Sequence, residues 1–214
     1  MLPRYPDDDA RRKAYQNERS QRWSLEEKLL IPISNLICDV IRIESGYSAT
    51  YQKYAEPLID NFKNSHPSTQ TVPDEIRGAP DLKIQANNRE WFVELKIKKM
   101  AYHNTRNGSI KVPRYGCESH YLDDTPVYVN LLKHAATYNI NLEDIVLLYA
   151  VNPGAATTMR TPLAPEEWHL ECIKLNDLKR NVESKRYFKY TEGYGQPAWL
   201  IRCDDMQGVS QTFI

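Results

Sequence analysis

The sequence predicts an α/β fold in which helices flank a central mixed β-sheet, with extra strands towards the C-terminus. Three patterns predict this fold. Apolar and polar residues alternate between residues 82 and 97, a continuous apolar run covers residues 145–151, and apolar residues recur at helical spacing after Ser24. Of the 214 residues, 41% are apolar, which suffices for one sizeable core and is short for two. We therefore predict a single domain over residues 23–214, preceded by a polar arm of residues 1–22.

Two helices are predicted before the alternating stretches. Ser24 begins a capping pattern, with Glu26 and Glu27 in the first turn. The apolar positions that follow have the spacing of one buried helix face: Leu29, Leu30, Ile33, Leu36, Ile37, Val40 and Ile41. We expect a long buried helix, kinked near Pro32. A second helix is predicted from about Tyr51 to Phe62, because a segment rich in Pro, Ser and Thr follows it.

Residues 82–97 predict a β-hairpin. Two sets of apolar residues alternate with polar ones: Leu82, Ile84 and Ala86 on one strand, and Trp91, Val93, Leu95 and Ile97 on the other. Asn87 and Asn88 tolerate the positive φ angles that a two-residue type I′ turn requires. Pairing outwards from this turn places Asp81 opposite Glu94, and a four-residue loop gives the same register.

This register concentrates charge on one face of the hairpin. Directly opposed side chains of an antiparallel pair have Cβ atoms roughly 4.5–5.5 Å apart, so Asp81 and Glu94 should repel each other unless a cation offsets the repulsion. Mg²⁺ is the natural candidate, because it is typically held by one or two carboxylates with water and phosphate oxygens. Lys96 lies on the same face, where its ammonium could bind a scissile phosphate or help to deprotonate water.

The remaining elements follow the hairpin in order. Thr125 and Pro126 are typical of the N-cap and first position of a helix, which should end near Tyr138. The apolar run Ile145–Val151 is typical of a strand buried on both faces. Further predictions are extra strands at Trp168 to Leu175 and Ala198 to Arg202, and a basic surface for DNA or a partner chain from Lys179 to Lys189.

Pro80-Asp81, twelve further residues and then Glu94-Leu95-Lys96 resemble the PD-(D/E)xK motif of restriction-endonuclease-like nucleases. The resemblance implies a restriction-endonuclease-like core over residues 24–152, with residues 153–214 as a C-terminal elaboration. It implies that Asp81, Glu94 and Lys96 are catalytic. Asp81, Glu94 and the peptide carbonyl of Leu95 would be metal ligands, and Lys96 would polarise the phosphate or activate water. The implied cofactor is Mg²⁺, for which Mn²⁺ is expected to substitute.

The resemblance also implies a function, a metal-dependent endonuclease that hydrolyses DNA phosphodiester bonds. A type II restriction endonuclease that cuts double-stranded DNA as a homodimer suits the size of the chain. A Holliday-junction resolvase or repair nuclease would use the same chemistry, and an RNA-cutting nuclease stays open. From another class, the chain would be an inactive DNA-binding or assembly module of the same fold. A third carboxylate from the preceding helix, Glu44 or Glu56, would decide the number of metal ions.

A basic stretch follows the predicted active-site strand. The formal net charge of the chain is zero, which counts against indiscriminate coating of nucleic acid and allows a locally basic cleft. Between Lys96 and Cys117 there is no acidic residue, and we expect Lys and Arg in this stretch to contact phosphates. The candidate DNA-binding residues are Lys98, Lys99, Arg106, Lys111 and Arg114.

Other chemistries leave no pattern in the sequence. The cysteines at 38, 117, 172 and 203 form no CxxC pair, and the histidines have no ligand spacing, so neither a disulfide framework nor a transition-metal site is expected. There is no GxSxG elbow and no glycine-rich phosphate loop, so we expect no nucleotide cofactor. Auxiliary contacts to the site are possible from His120, Tyr121, Lys133 and His134. Without a signal peptide or membrane span, a soluble cytoplasmic protein is predicted.

Overall fold

The structure is a computed structural model that describes residues 28–69, 71–98, 119–151, 168–190 and 197–213. The predicted arm of residues 1–22 lies outside these ranges. Helices are α1 (residues 28–45), α2 (Ala55–Ser65), α3 (Asp74–Arg77), α4 (Asn130–Thr137), α5 (Leu175–Glu183) and α6 (Val209–Phe213). Strands are β1 (Ala49–Lys53), β2 (Leu82–Ala86), β3 (Arg89–Lys98), β4 (Ser119–Asp123), β5 (Ile145–Val151), β6 (His169–Lys174), β7 (Phe188–Tyr190) and β8 (Ala198–Arg202).

Two sheets organise the described residues. The larger sheet has the order β1-β2-β3-β5-β6, in which β3 and β5 are parallel and the other neighbours are antiparallel. The smaller sheet has the order β4-β8-β7 and is antiparallel. The predicted fold class, a central mixed sheet flanked by helices with extra C-terminal strands, is confirmed. No helix in the described ranges combines the length and the apolar character needed to cross a membrane.

The predicted hairpin forms in the predicted register. Asn87 and Asn88 have φ angles of 49° and 58°, as a type I′ turn requires. Ala86 pairs with Arg89 at the turn, and Leu82 pairs with Val93 at the far end of β2. This register is decisive for the charged side chains, because a slip by one residue would move each of them to the other face of the sheet.

The larger sheet is covered on both faces. On one face, Ile33 and Ile37 of α1 and Phe213 of α6 pack against apolar residues of β2, β3 and β5. On the other face, α4, α5 and the smaller sheet pack against Leu147 and Tyr149 of β5. All seven residues of β5 are buried, as the continuous apolar run predicted.

The predicted second helix is wrong in its first turn. Tyr51 belongs to the edge strand β1 and pairs with Ile84 of β2, and helix α2 begins only at Ala55. Pairing with a hydrophobic strand thus overrides the local helical pattern around Tyr51. Strand β8 is confirmed at its predicted bounds, and β6 ends one residue before Leu175, where helix α5 begins.

Candidate active site

Asp81 and Glu94 lie opposite each other where the β2–β3 hairpin opens. Continuing the register one position beyond Leu82 and Val93 pairs Asp81 with Glu94. Counting from the turn, this position is a non-hydrogen-bonded pair, the type in which side chains are closest. Two hydrogen bonds fix Asp81: its Oδ2 accepts from the Leu95 amide at 2.8 Å, and its carbonyl accepts from the Tyr54 amide at 2.9 Å.

Glu94 and Lys96 form an ion pair on the same face of β3. Lys96 Nζ is 2.5 Å from Glu94 Oε1, and Glu94 is only 8% exposed. Asp81, Glu94 and Lys96 together carry one net negative charge at neutral pH. A buried carboxylate needs a partner charge, and the geometry allows an added cation and Lys96 to share that role.

The carbonyl of Leu95 points to the same edge of β3 as Asp81. In a strand, the N–H and C=O of one residue point towards the same neighbouring strand. Here the N–H of Leu95 binds the Asp81 carboxylate. The residue opposite Leu95 in the register is Pro80, which has no N–H to donate to that carbonyl. The Pro80-Asp81 sequence therefore leaves the Asp81 carboxylate and the Leu95 carbonyl oxygen together at the edge of β3 that faces β2.

Gly78 allows the segment before Asp81 to touch helix α4. A Cβ atom at Gly78 would lie 2.1 Å from the backbone oxygen and 2.3 Å from the carbonyl carbon of Asn130. Neither atom belongs to a flexible side chain, so only glycine fits this close approach. Asn130 is itself buried. The segment that carries Asp81 is therefore held against the core.

Lys133 and His134 connect α4 to α3. Lys133 Nζ is 2.6 Å from Asp74 Oδ2, and His134 Nδ1 is 2.6 Å from the carbonyl oxygen of Glu75. Burial lowers the pKa of His134 although the hydrogen bond to Glu75 raises it. Both side chains thus have structural partners in α3, and the auxiliary contacts suggested for them stay a prediction.

The two candidates for a third carboxylate lie at opposite ends of the sheet. Glu44 is exposed in the last turn of α1, and the chain then enters β1 opposite Ala86, at the turn end of the hairpin. Glu56 is in the first turn of α2, two residues after Tyr54, whose amide binds the Asp81 carbonyl. Glu56 also pairs with Lys53 at 2.5 Å. Topology therefore favours Glu56 over Glu44.

Most of the predicted DNA-binding residues lie outside the described residues. Lys99, Arg106, Lys111 and Arg114 fall between residues 98 and 119, and only the backbone of Lys98, at the end of β3, is described. Strand β3 nevertheless leads directly into this basic stretch. The prediction that the stretch contacts phosphates stays a prediction.

A second polar group lies beside the first. Lys96, Tyr149 and Glu171 are successive partners across β3, β5 and β6, so they share one face. His120 of β4 stacks on Tyr149, with ring centroids 4.3 Å apart, and its Nε2 is 2.6 Å from Glu171 Oε2. Burial, followed by the charge of Glu94, raises the pKa of Tyr149 well above its usual range.

The sequence patterns did not predict this second group. His120 and Glu171 are 51 positions apart, and they meet only because the smaller sheet packs on the larger one. Ligand atoms of His120, Glu171 and Cys203 lie within 4.8 Å of one another. The prediction that no transition-metal site is present rested on spacing along the chain, and such spacing does not reveal this cluster. A useful signal was Glu171, a charged residue between the apolar Leu170 and Cys172 of a predicted strand.

Comparisons with known proteins give a likeness in structure but none in sequence. No family model and no curated protein matches the chain. Among solved structures, the chain is similar to a nuclease from a fusselovirus, with 12% sequence identity, a TM-score of 0.40, and coverage of 91% of this chain and 88% of that chain. Support for a function must therefore come from the side chains of this protein.

Proposed function

We propose that the chain is a metal-dependent endodeoxyribonuclease whose active site is Asp81, Glu94 and Lys96. The observation that carries the proposal is the register of β2 and β3, which sets two carboxylates face to face, with an ammonium 2.5 Å from one of them. An exposed hairpin would not need to bury Glu94. A divalent cation at this point would relieve the repulsion between Asp81 and Glu94.

Each residue has a distinct role in this proposal. Asp81 and Glu94 would hold Mg²⁺ or Mn²⁺ together with the carbonyl of Leu95, and Glu56 would be the third carboxylate. The bound ion would neutralise charge on the phosphate and lower the pKa of water. Lys96 pairs with Glu94, and its ammonium could turn to a phosphate oxygen once that carboxylate oxygen has another partner.

Double-stranded DNA is the proposed substrate, with a type II restriction endonuclease as the proposed class. The basic stretch from Lys98 to Arg114 follows the active-site strand and would contact phosphates on both sides of the scissile bond. One such site per chain cuts one strand, so a homodimer would cut both. A junction resolvase would use the same residues on branched DNA.

The test is cleavage of supercoiled plasmid by the purified chain in Mg²⁺, beside a sample in EDTA and the Asp81→Asn variant. We expect cleavage by the wild type alone, because Asn is nearly isosteric with Asp and removes only the charge. Discrete linear fragments would support a restriction endonuclease. Cleavage confined to a four-way junction would support a resolvase.

The control for Asp81→Asn is Asp144→Asn, which removes a carboxylate near the turn end of the same hairpin. Asp144 pairs with Arg89, the first residue of β3, which is five positions before Glu94 on that strand. Equal activity in Asp81→Asn and wild type would overturn the proposed site. A wild type that cuts neither plasmid, branched DNA nor RNA would indicate a binding or assembly module.

A further inference from the structure

The cluster of His120, Glu171 and Cys203 joins three separate elements. His120 belongs to β4 and Glu171 to β6, and Cys203 begins the short 3₁₀ turn that follows β8. In the smaller sheet His120 pairs with Ile201, so Cys203 lies diagonally from His120 on the same face. That face packs on β5 and β6. The cluster therefore lies where the two sheets meet.

The ligand atoms of this cluster are close enough for one metal ion. All three lie within 4.8 Å of one another. Ligands of a tetrahedral zinc ion at about 2.0–2.3 Å are themselves about 3.3–3.6 Å apart. His120 Nε2 and Glu171 Oε2, now at 2.6 Å, would need to separate by less than about 1 Å to reach that spacing.

The ring of His120 is buried and held in one plane. It is 1% exposed, and it stacks on Tyr149 with ring centroids 4.3 Å apart. Histidine binds metals as a neutral imidazole, through a nitrogen that carries no proton. A metal ion at Nε2 would therefore replace the hydrogen bond to Glu171 and keep the ring proton on Nδ1.

Both carboxylate oxygens of Glu171 have histidine partners. His120 Nε2 lies 2.6 Å from Oε2. His169 Nε2 lies 3.0 Å from Oε1 of Glu171, the oxygen that His120 does not contact. Such a partner orients a metal-binding carboxylate. His169 is thus a positioning residue for Glu171.

We propose that His120, Glu171 and Cys203 bind one Zn²⁺-like divalent transition-metal ion that joins the two sheets beside the active site. Nitrogen, oxygen and thiolate sulfur together select zinc and its neighbours over Mg²⁺, which prefers oxygen ligands alone. Three protein ligands leave a fourth position for water or another group. This site is separate from Asp81 and Glu94 in both residues and metal preference.

The test is titration of metal-free full-length protein with Co²⁺, a spectroscopic substitute for zinc. We expect one equivalent of Co²⁺ to give a thiolate-to-metal charge-transfer band that Zn²⁺ abolishes and that Mg²⁺ leaves unchanged. Cys203→Ser should lose the band, and His169→Ala should weaken Zn²⁺ binding by about 10–100-fold. The matched control is Cys38→Ser, because Cys38 is a half-buried thiol on α1.

The outcomes separate this site from the nuclease site. Asp81→Asn should keep the cobalt band, whereas it should lose Mg²⁺-dependent cleavage. Absence of the band in wild type would overturn the zinc site, as would its survival in Cys203→Ser or its loss in Cys38→Ser or Asp81→Asn. Since His120→Ala could unfold the protein, His120→Gln is used with circular dichroism as a check on folding, and a folded variant that keeps the band would also overturn the site.

Discussion

Two lysine–glutamate pairs lie on the β2–β3 hairpin, and their glutamates lie near its two ends. For the glutamate near the turn, Lys83 Nζ is 2.6 Å from Glu90 Oε1, and the side chains are 22% and 49% exposed. At the open end, Lys96 is 2.5 Å from Glu94, and the side chains are 22% and 11% exposed. The residue types and distances agree, so chemistry alone does not distinguish the pairs.

Burial and a third charge do distinguish them. Glu94 is 8% exposed and faces Asp81, whereas the Glu90 side chain is 49% exposed and faces Gln85. A pair of exposed charges contributes about 0–1 kcal/mol. A buried carboxylate beside another carboxylate costs free energy unless it is compensated. Burying Glu94 next to Asp81 thus lowers the stability of the fold, whereas the pair near the turn does not. A local loss of stability of this kind is typical of a functional site.

The largest contrast should appear when each glutamate is replaced by glutamine. Glu94→Gln should reduce Mg²⁺-dependent DNA cleavage by at least about 100-fold, the typical effect of removing one group that stabilises a transition state. Glu90→Gln, on the same strand and face, should change cleavage less than about twofold. Cleavage rates with matched protein and DNA measure both. Equal losses in the two variants would remove the distinction between the two ends.

The two lysines should differ in a second way. Lys96→Met should lower cleavage by about 100-fold but should leave Mg²⁺ binding equal or tighter, because Glu94 no longer pairs with an ammonium. Lys83→Met should change neither property. Melting temperature as a function of Mg²⁺ concentration reports binding. Weaker Mg²⁺ binding in Lys96→Met would contradict the role given to this lysine.

The close contact behind the open end should make Gly78 sensitive to substitution. Gly78→Ala should lower the free energy of unfolding by about 1–3 kcal/mol, because the new methyl group meets the Asn130 backbone. Gly208→Ala is the control, since no atom lies within 4 Å of a Cβ there, and it should stay within about 0.5 kcal/mol of wild type. Urea unfolding measures both variants. An unchanged free energy of unfolding in Gly78→Ala would show that the backbone around Gly78 can move away from Asn130.

The stability that His134 contributes, where α4 contacts α3, should also depend on pH. The pKa of His134 is lowered from 6.5 in the folded protein, chiefly by burial, so unfolding takes up a proton near that pH. The stability it contributes is complete above pH 6.5 and is lost as pH falls through the lower folded pKa. His134→Asn should reduce the slope of stability against pH, by at most about 1.4 kcal/mol per pH unit. Identical slopes from pH 7 to 5 would exclude this contribution.

The smallest effect is expected at the turn. Arg89 Nε donates to Asp144 Oδ1 at 2.8 Å, between side chains that are 46% and 26% exposed. Asp144→Asn should cost about 0.2–1 kcal/mol, and less at high salt. A double-mutant cycle with Arg89→Gln isolates the pair. A coupling energy above about 2 kcal/mol would mean that the turn end is not an ordinary exposed pair.

Patterns within short stretches of the sequence predicted several elements correctly. The register of the hairpin followed from Asn87-Asn88 and period-2 alternation, and it placed Asp81 opposite Glu94. The bounds of β5 and β8 followed from their apolar runs. Strand β1 was missed because as an edge strand it buries few side chains, so its pattern is weak.

The second polar group depends on contacts that no local pattern contains. His120 gains its partners only when β4 packs over β5 and β6, and Glu171 is brought next to Tyr149 by pairing of β5 with β6. Spacing along the chain could not reveal them. The basic stretch after Lys98 lies outside the described residues, so its prediction stays open.

The parallel pairing of β3 with β5 also orders events during synthesis. The hairpin is local and closes within about 1–10 μs, so Asp81 faces Glu94 soon after Lys98 has emerged. Burial of Glu94 waits for β5, which completes about fifty residues later, or roughly 3–10 s at about 5–20 residues per second. Asp81, Glu94 and Lys96 are thus present in a nascent chain for seconds before the strand that completes the burial of Glu94 has been made.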